Sequence, residues 1–310
     1  MINPTLRQLR YFDALARHGH FGRAAEACSI SQPALSMQIK EMEEGLGGTL
    51  LERSARQVTL TRLGEELIER VRDILRSVDE LGDFARASRD RFAGRLRIGM
   101  IPTVAPYLLP RIIGDLTRMH PELDIQVREA LTSKLIQELS EGRLDTAIVA
   151  LPVSEASLTE VALFSEDFLL VRPLEDEGTP VPSREMLREM RLLLLEEGHC
   201  FRDQALSFCK MHSSPRELLD ASSLSTLVQM VSAGVGVTLI PEMAVQVETR
   251  SAAVSVARFR NPQPSRTIGM VWRKTSPLAR QLTQISEVVC LSAGKPRGKQ
   301  TAPPARNHRS

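Results

Sequence analysis

The chain has 310 residues, about twice a typical single domain, so two or three domains are expected. Its formal charge is +2, and residues 295–310 hold Lys295, Arg297, Lys299, Arg306 and Arg309 with no acid, so the body is slightly acidic and whole-chain charge does not announce a nucleic-acid binder. No apolar run reaches membrane-span length, and the opening MINPTLRQLRYF lacks the basic-then-apolar order of a signal peptide, so a cytoplasmic protein with reduced thiols is expected.

Residues 1–60 read as short helical pieces ending in LLERSARQVTLT. In HFGRAAEACSISQPALSMQIKEMEEGLG, Phe21, Ala24, Ala25 and Cys28 face inward on one helix. SIS gives a tight turn, Ser31 is placed to cap the next helix, and Pro33 falls in that helix's first turn, where proline is tolerated. Leu35, Ile39 and Met42 make its buried stripe and leave Gln32, Ala34, Ser36, Gln38 and Lys40 outward. Two helices across such a turn form a helix-turn-helix whose second member offers Gln, Ser and Ala to base edges in the major groove, with Arg53 and Arg56 as a basic wing on phosphates. A plain helical hairpin is the alternative; the turn, cap, early proline and basic wing together weigh against it.

Residues 61–90 predict one long helix. Leu63, Leu67, Val71, Ile74, Val78, Leu81 and Ala85 recur at alternating steps of four and three, a heptad seam. The segment lies between two domains with no third body to cover the stripe, so a dimer through this helix is expected. From residue 94 to 293, strand-like and helix-like segments alternate, which implies a parallel sheet with helices on its faces. Two α/β halves of similar size suggest two lobes with a ligand cleft between them. Residues 294–310 read as a disordered basic tail.

EEGHCFRDQALSFCK places Cys200 and Cys209 close together. LLLLEE is a buried strand that Gly198 breaks, and CFRDQALSFCKM continues as a helix. A helix N-terminus favours the thiolate at Cys200, the form that attacks a peroxide oxygen, and His199 and Arg202 offer positive potential and hydrogen bonds. Nine helical residues rise roughly 13.5 Å and turn about 900°, so the thiols lie on opposite faces. A disulfide needs Cα atoms within roughly 7 Å, so joining them requires the helix to unwind. Other readings stand beside this one: both cysteines as small core residues, the commonest role of free Cys, or a zinc site from Cys200, Cys209 and His212 that lacks a paired C-x-x-C half. Cys28 and Cys290 read as packing residues.

LRQLRYFDALARHGHFGRAAEACSISQPALSMQIKEMEEGLGGTLLERSARQVTLTRLGEEL resembles the N-terminal domain of the LysR-type transcriptional regulators. The resemblance covers nearly the whole chain apart from the tail. It implies a mixed fold: a winged helix-turn-helix, a long dimerisation linker helix and a two-lobed α/β effector domain of periplasmic-binding-protein-like form. GHCFRDQALSFC, with GMIPTVAPYLLP, EALTSKL and SRTIGMVW, resembles the peroxide-sensing members of that family. On that resemblance Cys200 matches the peroxidatic cysteine and Cys209 the resolving one. Thr103, Thr132, His199 and Arg266 match the residues that hold hydrogen peroxide, with Asp203 as a tether for the imidazole or the guanidinium.

The resemblance implies a transcriptional regulator rather than an enzyme, without cofactor or metal. Its partners would be promoter DNA, a second copy in a homodimer or homotetramer, RNA polymerase, hydrogen peroxide as signal, and a glutaredoxin- or thioredoxin-linked reductant. Its place would be the cytoplasm at the nucleoid, with no membrane. Two rivals remain open on sequence: a LysR-type regulator answering a small metabolite with bystander cysteines, and a thiol peroxidase.

Overall fold

The computed structural model describes residues 4–53, 58–87, 94–209, 220–260 and 262–294. It divides into two compact units, Met1–Ala85 and Arg86–Ser310.

The first unit runs α1 (Leu6–His18), α2 (Phe21–Ala27), α3 (Gln32–Leu46), β1 (Leu51–Arg53), β2 (Val58–Leu60) and α4 (Arg62–Ala87). Thr5 caps α1 through a reciprocal bond with Gln8, and Gly19 ends it in the left-handed conformation that glycine tolerates best. Between α2 and α3 the chain reverses at Ser29, which also holds a positive φ of 55°. Ser31 then accepts the Ala34 N–H and starts α3. Phe12, Leu15, Leu35, Ile39, Met42 and Leu50 pack into the unit's core with Ile68 and Val71 from α4. The heptad seam is therefore used differently from expectation over its first half. Leu67 and Val71 are covered by the unit's own core, whereas Ile74 and Leu81 stay exposed.

The second unit continues as β3 (Gly94–Met100), α5 (Ala105–Met119), β4 (Leu123–Glu129), α6 (Thr132–Ser140), β5 (Thr146–Leu151) and β6 (Leu158–Pro173), then α7 (Arg184–Glu189), β7 (Leu192–Leu195), α8 (Cys200–Phe208) and β8 (Asp220–Ala221). It closes with α9 (Leu224–Ser232), β9 (Val237–Pro241), α10 (Glu242–Glu248), β10 (Val254–Ala257), β11 (Ser265–Arg273) and α11 (Ala279–Ser292). The strands hydrogen-bond in the order β4-β3-β5-β11-β6-β9-β7-β8, with β10 also on β6.

Two cores form along this path. Ile98, Ile112, Leu135, Ile148, Met270 and Ile285 belong to the first lobe, and Leu193, Phe201, Leu227, Leu239 and Ile240 to the second. β6 serves both, giving Leu163 and Phe164 to one and Phe168, Leu170 and Val171 to the other. The changeover falls at Glu166 and Asp167. An all-parallel sheet is not what the chain builds. β3 is parallel to β4 and β5, and β7 to β8 and β9, but β11 runs antiparallel to both β5 and β6, and β9 antiparallel to β6. The six residues from 152 to 157 join β5 to β6 without a crossover helix, and the late strand β11 inserts between them.

Candidate functional site

Cys200 opens α8, with His199 as its N-cap residue and Gly198 before it at a φ of 94°. That positive φ suits glycine, and a side chain there would begin 3.0 Å from Leu131 Cδ1. The turn is thus seated against the start of α6, whose first residue is Thr132. Cys200 is half-exposed and packs against the first lobe's core, whereas the next residue, Phe201, belongs to the second lobe's core. The thiol sits on the seam between lobes. Cys209 closes α8 and is fully buried within the second core. Neither cysteine is in a disulfide. With α8 intact between them, their helical positions are separated by roughly 13.5 Å of rise.

Arg266, at the start of β11, reaches the same seam. Its Nη1 donates to Thr103 Oγ1 at 2.8 Å and its Nη2 to the Thr103 carbonyl at 3.1 Å. Its guanidinium carbon stands 5.5 Å from the centre of the Phe201 ring. A guanidinium only donates, so the Thr103 hydroxyl accepts from it and keeps its own proton for another group. Thr132 Oγ1 is buried without a hydrogen-bond partner. Two buried threonine hydroxyls, one with an uncommitted proton and one wholly unsatisfied, suit a small ligand that both donates and accepts.

His199 is buried, and desolvation lowers its pKa from the ordinary 6.5, opposed by Glu196. Burial thus disfavours the charged imidazole, and the hydrogen-bonding capacity expected of His199 weighs more than its positive potential. Arg202 is also diverted. It is buried, and its Nη1 donates to the Leu195 carbonyl at 2.6 Å and to Asp220 Oδ1 at 2.7 Å, tying α8 to β7 and β8. Asp203 is exposed and lines a surface hollow with Phe168, Gln204, Ser207, Phe208, Pro264 and Ser265. The structure thus joins Thr103 to Arg266, sets Arg266 over Phe201 next to Cys200, and seats Gly198 against Leu131 next to Thr132, while Arg202 turns to Leu195 and Asp220 and Asp203 is exposed. His212 lies outside the described residues.

Sequence reasoning missed three groups here. Glu166 pairs with Arg266, Phe201 stacks beneath its guanidinium, and Tyr107 of α5 donates to Glu248 of α10 at 2.6 Å, a bond between the lobes. Burial first, then the bond to Glu248, push the Tyr107 phenol well above its ordinary range, so it stays a donor. These pairs are far apart in sequence and carry no local pattern. Cys28 packs on the first unit's core, and burial pushes its thiol up against the opposing charge of Arg17. Cys290 is buried with its Sγ 3.4 Å from the Leu163 carbonyl.

In the first unit, α3 presents Gln32, Pro33 and Lys40 fully exposed and Ala34, Ser36 and Gln38 half-exposed, with Ser31 exposed at its cap. Gln38 also donates to Glu41 at 2.8 Å. Met37 is exposed on the same helix and was not anticipated; a methionine there can meet a thymine methyl. Arg53 ends β1 opposite Val58 of β2, so its backbone belongs to a two-stranded wing. Arg56 and the tail 295–310 lie outside the described residues.

Residues 6–65 match the bacterial regulatory helix-turn-helix protein, lysR family, and residues 89–289 match the LysR substrate binding domain. A probable hydrogen peroxide-inducible genes activator of Streptomyces viridosporus is 46% identical over 291 residues, 91% of this chain and 92% of that one. Full-length OxyR from Pseudomonas aeruginosa, a cysteine-to-aspartate variant, superposes with a TM-score of 0.77 at 35% identity, covering 98% of this chain and 100% of that one. A hydrogen peroxide-bound cysteine-to-serine variant of OxyR from Corynebacterium glutamicum gives 0.63 at 34% identity, covering 95% and 96%.

Proposed function

Because the chain belongs to the LysR family of helix-turn-helix regulators, we propose that it is a DNA-binding transcriptional regulator that senses hydrogen peroxide through Cys200. The observation that carries the reading is the placement of the two thiols: Cys200 half-exposed at the lobe seam, Cys209 sealed in the second core at the far end of α8. The peroxide-responsive relatives support it.

Peroxide enters the seam, where Thr103 donates and Thr132 donates and accepts. The Cys200 thiolate attacks one peroxide oxygen, and the O–O bond breaks. The departing hydroxide takes a proton and leaves as water, while the sulfur loses two electrons and becomes a sulfenic acid. Arg266 and the His199 imidazole stabilise charge on the departing oxygen. Helix α8 then opens and Cys209 condenses with the sulfenic acid, forming the disulfide and a second water. The repacked second lobe shifts the dimer interface and with it the spacing of half-sites read by α3 and the contact with RNA polymerase.

A glutaredoxin- or thioredoxin-linked reductant returns the thiols. The genes served are antioxidant ones, catalase among them, with repression of the regulator's own gene, and the site of action is the cytoplasmic nucleoid. Among the described residues no helix is long and apolar enough to cross a membrane.

Thiol mass spectrometry after one equivalent of peroxide, run with DNA footprinting, tests this. Oxidation at Cys200 with a changed footprint is expected. A Cys200→Ser protein that still signals normally would favour a metabolite-responsive regulator. Repeated turnover of peroxide with a reductant would favour a peroxidase.

A further inference from the structure

Arg266 is not held by the pocket residues alone. Its Nε donates to Glu166 Oε1 at 2.8 Å, its Nη2 lies 2.7 Å from the same oxygen, and both side chains are completely buried. Arg266 and Glu166 also face each other in register on β11 and β6. The second carboxylate oxygen accepts the backbone N–H of Met243, at the start of α10, at 3.3 Å. One carboxylate at the point where β6 passes between lobes therefore fixes a guanidinium on one side and a helix of the second lobe on the other.

A buried ion pair is weak evidence for stability, because desolvation offsets its attraction. What this pair does give is orientation. With the Nε edge clamped by Glu166, the guanidinium plane is set and Nη1 is directed to Thr103. The carboxylate also pairs the charge of Arg266 where both side chains are buried, so the guanidinium is held as an aimed donor rather than an unpaired cation. We infer that Glu166 is a positioning residue for the peroxide reaction, acting through Arg266 rather than on peroxide itself. The inference rests on the proposed pocket.

The test compares two second-order rates on the reduced full-length protein: oxidation of Cys200 by hydrogen peroxide, and its alkylation by iodoacetamide. Alkylation needs an accessible thiolate but no aimed donor. Glu166→Asp keeps the charge and withdraws the carboxylate by one methylene. It is expected to keep one cooperative melting transition at a lower temperature than the wild type, to react with peroxide about tenfold more slowly or worse, and to alkylate at the wild-type rate within about twofold. Glu166→Gln should show the same split with a larger loss. In an Arg266→Lys background, Glu166→Asp should add little, because the two act as one unit. Equal losses in both rates, no loss in either, loss of cooperative melting in Glu166→Asp, or additive effects with Arg266→Lys would each overturn the inference. Arg266→Lys alone separates it from the reading beneath. If that change leaves the peroxide rate untouched, the pocket assignment fails. If it slows peroxide and Glu166→Asp does not, only the role of Glu166 fails.

Discussion

A buried hydroxyl with no partner destabilises a folded protein by about 1–3 kcal/mol, and Thr132 carries one at the mouth of α6. Thr132→Val keeps the shape and removes the oxygen. The reduced, ligand-free variant should therefore melt at or above the wild-type temperature while its Cys200 reacts with peroxide about tenfold more slowly or worse. Thermal unfolding and stopped-flow oxidation check the pair of outcomes, and a joint fall would make the hydroxyl structural. His199 gives a pH signature. Its folded-state pKa is lowered by burial, so the unfolded chain binds the proton first as pH falls below 6.5. Stability is undiminished by this group above that value and declines as pH drops toward the lowered one. His199→Gln should flatten that part of the profile in denaturant titrations. At this scale the proposed set could be named from sequence because Cys200, Thr103, Thr132 and Arg266 sit in short distinctive motifs. Arg202 was misjudged because its residue type and position fit the role, and only the fold shows Leu195 and Asp220 claiming its guanidinium. Glu166 was invisible, since nothing near FSEDF points to a residue on β11.

Helix α8 is short, begins beside the first lobe's core and ends inside the second's. Its entry depends on Gly198. Gly198→Ala would force an L side chain to a φ of 94° with Leu131 Cδ1 only 3.0 Å away. The reduced protein should lose about 1 kcal/mol or more of stability and its Cys200 should react more slowly, as unfolding and oxidation kinetics would report. In the first unit, Ser31→Ala removes the α3 cap and should lower stability by about 1 kcal/mol and weaken operator binding. The helix-turn-helix was legible because its signals are local: a cap, an early proline and a stripe of three. The sheet's central strands were not. β6 carries Ser165, Glu166 and Asp167 in mid-strand, a polar interruption in sequence that serves in space as the joint between two cores. A pattern of alternating strands and helices also cannot show β11 returning from the end of the chain to separate β5 from β6.

The molecule couples a chemical event in one unit to DNA bound by the other, and family membership supports both DNA binding and assembly into oligomers. Ile74 and Leu81 leave apolar surface on α4 after the unit's own core has taken Leu67 and Val71. Leu81→Glu should weaken self-association and operator affinity together, read by sedimentation and gel shift. The switch itself rests on the span of α8: two sulfurs at opposite ends of a standing helix have no path to each other. Hydrogen–deuterium exchange of the full-length protein, before and after one equivalent of hydrogen peroxide and with disulfide mapping of the same sample, tests this most directly. A Cys200–Cys209 bond accompanied by lost protection across residues 200–209 is predicted. That bond mapped in a protein whose α8 amides remain as protected as in the reduced form would contradict it.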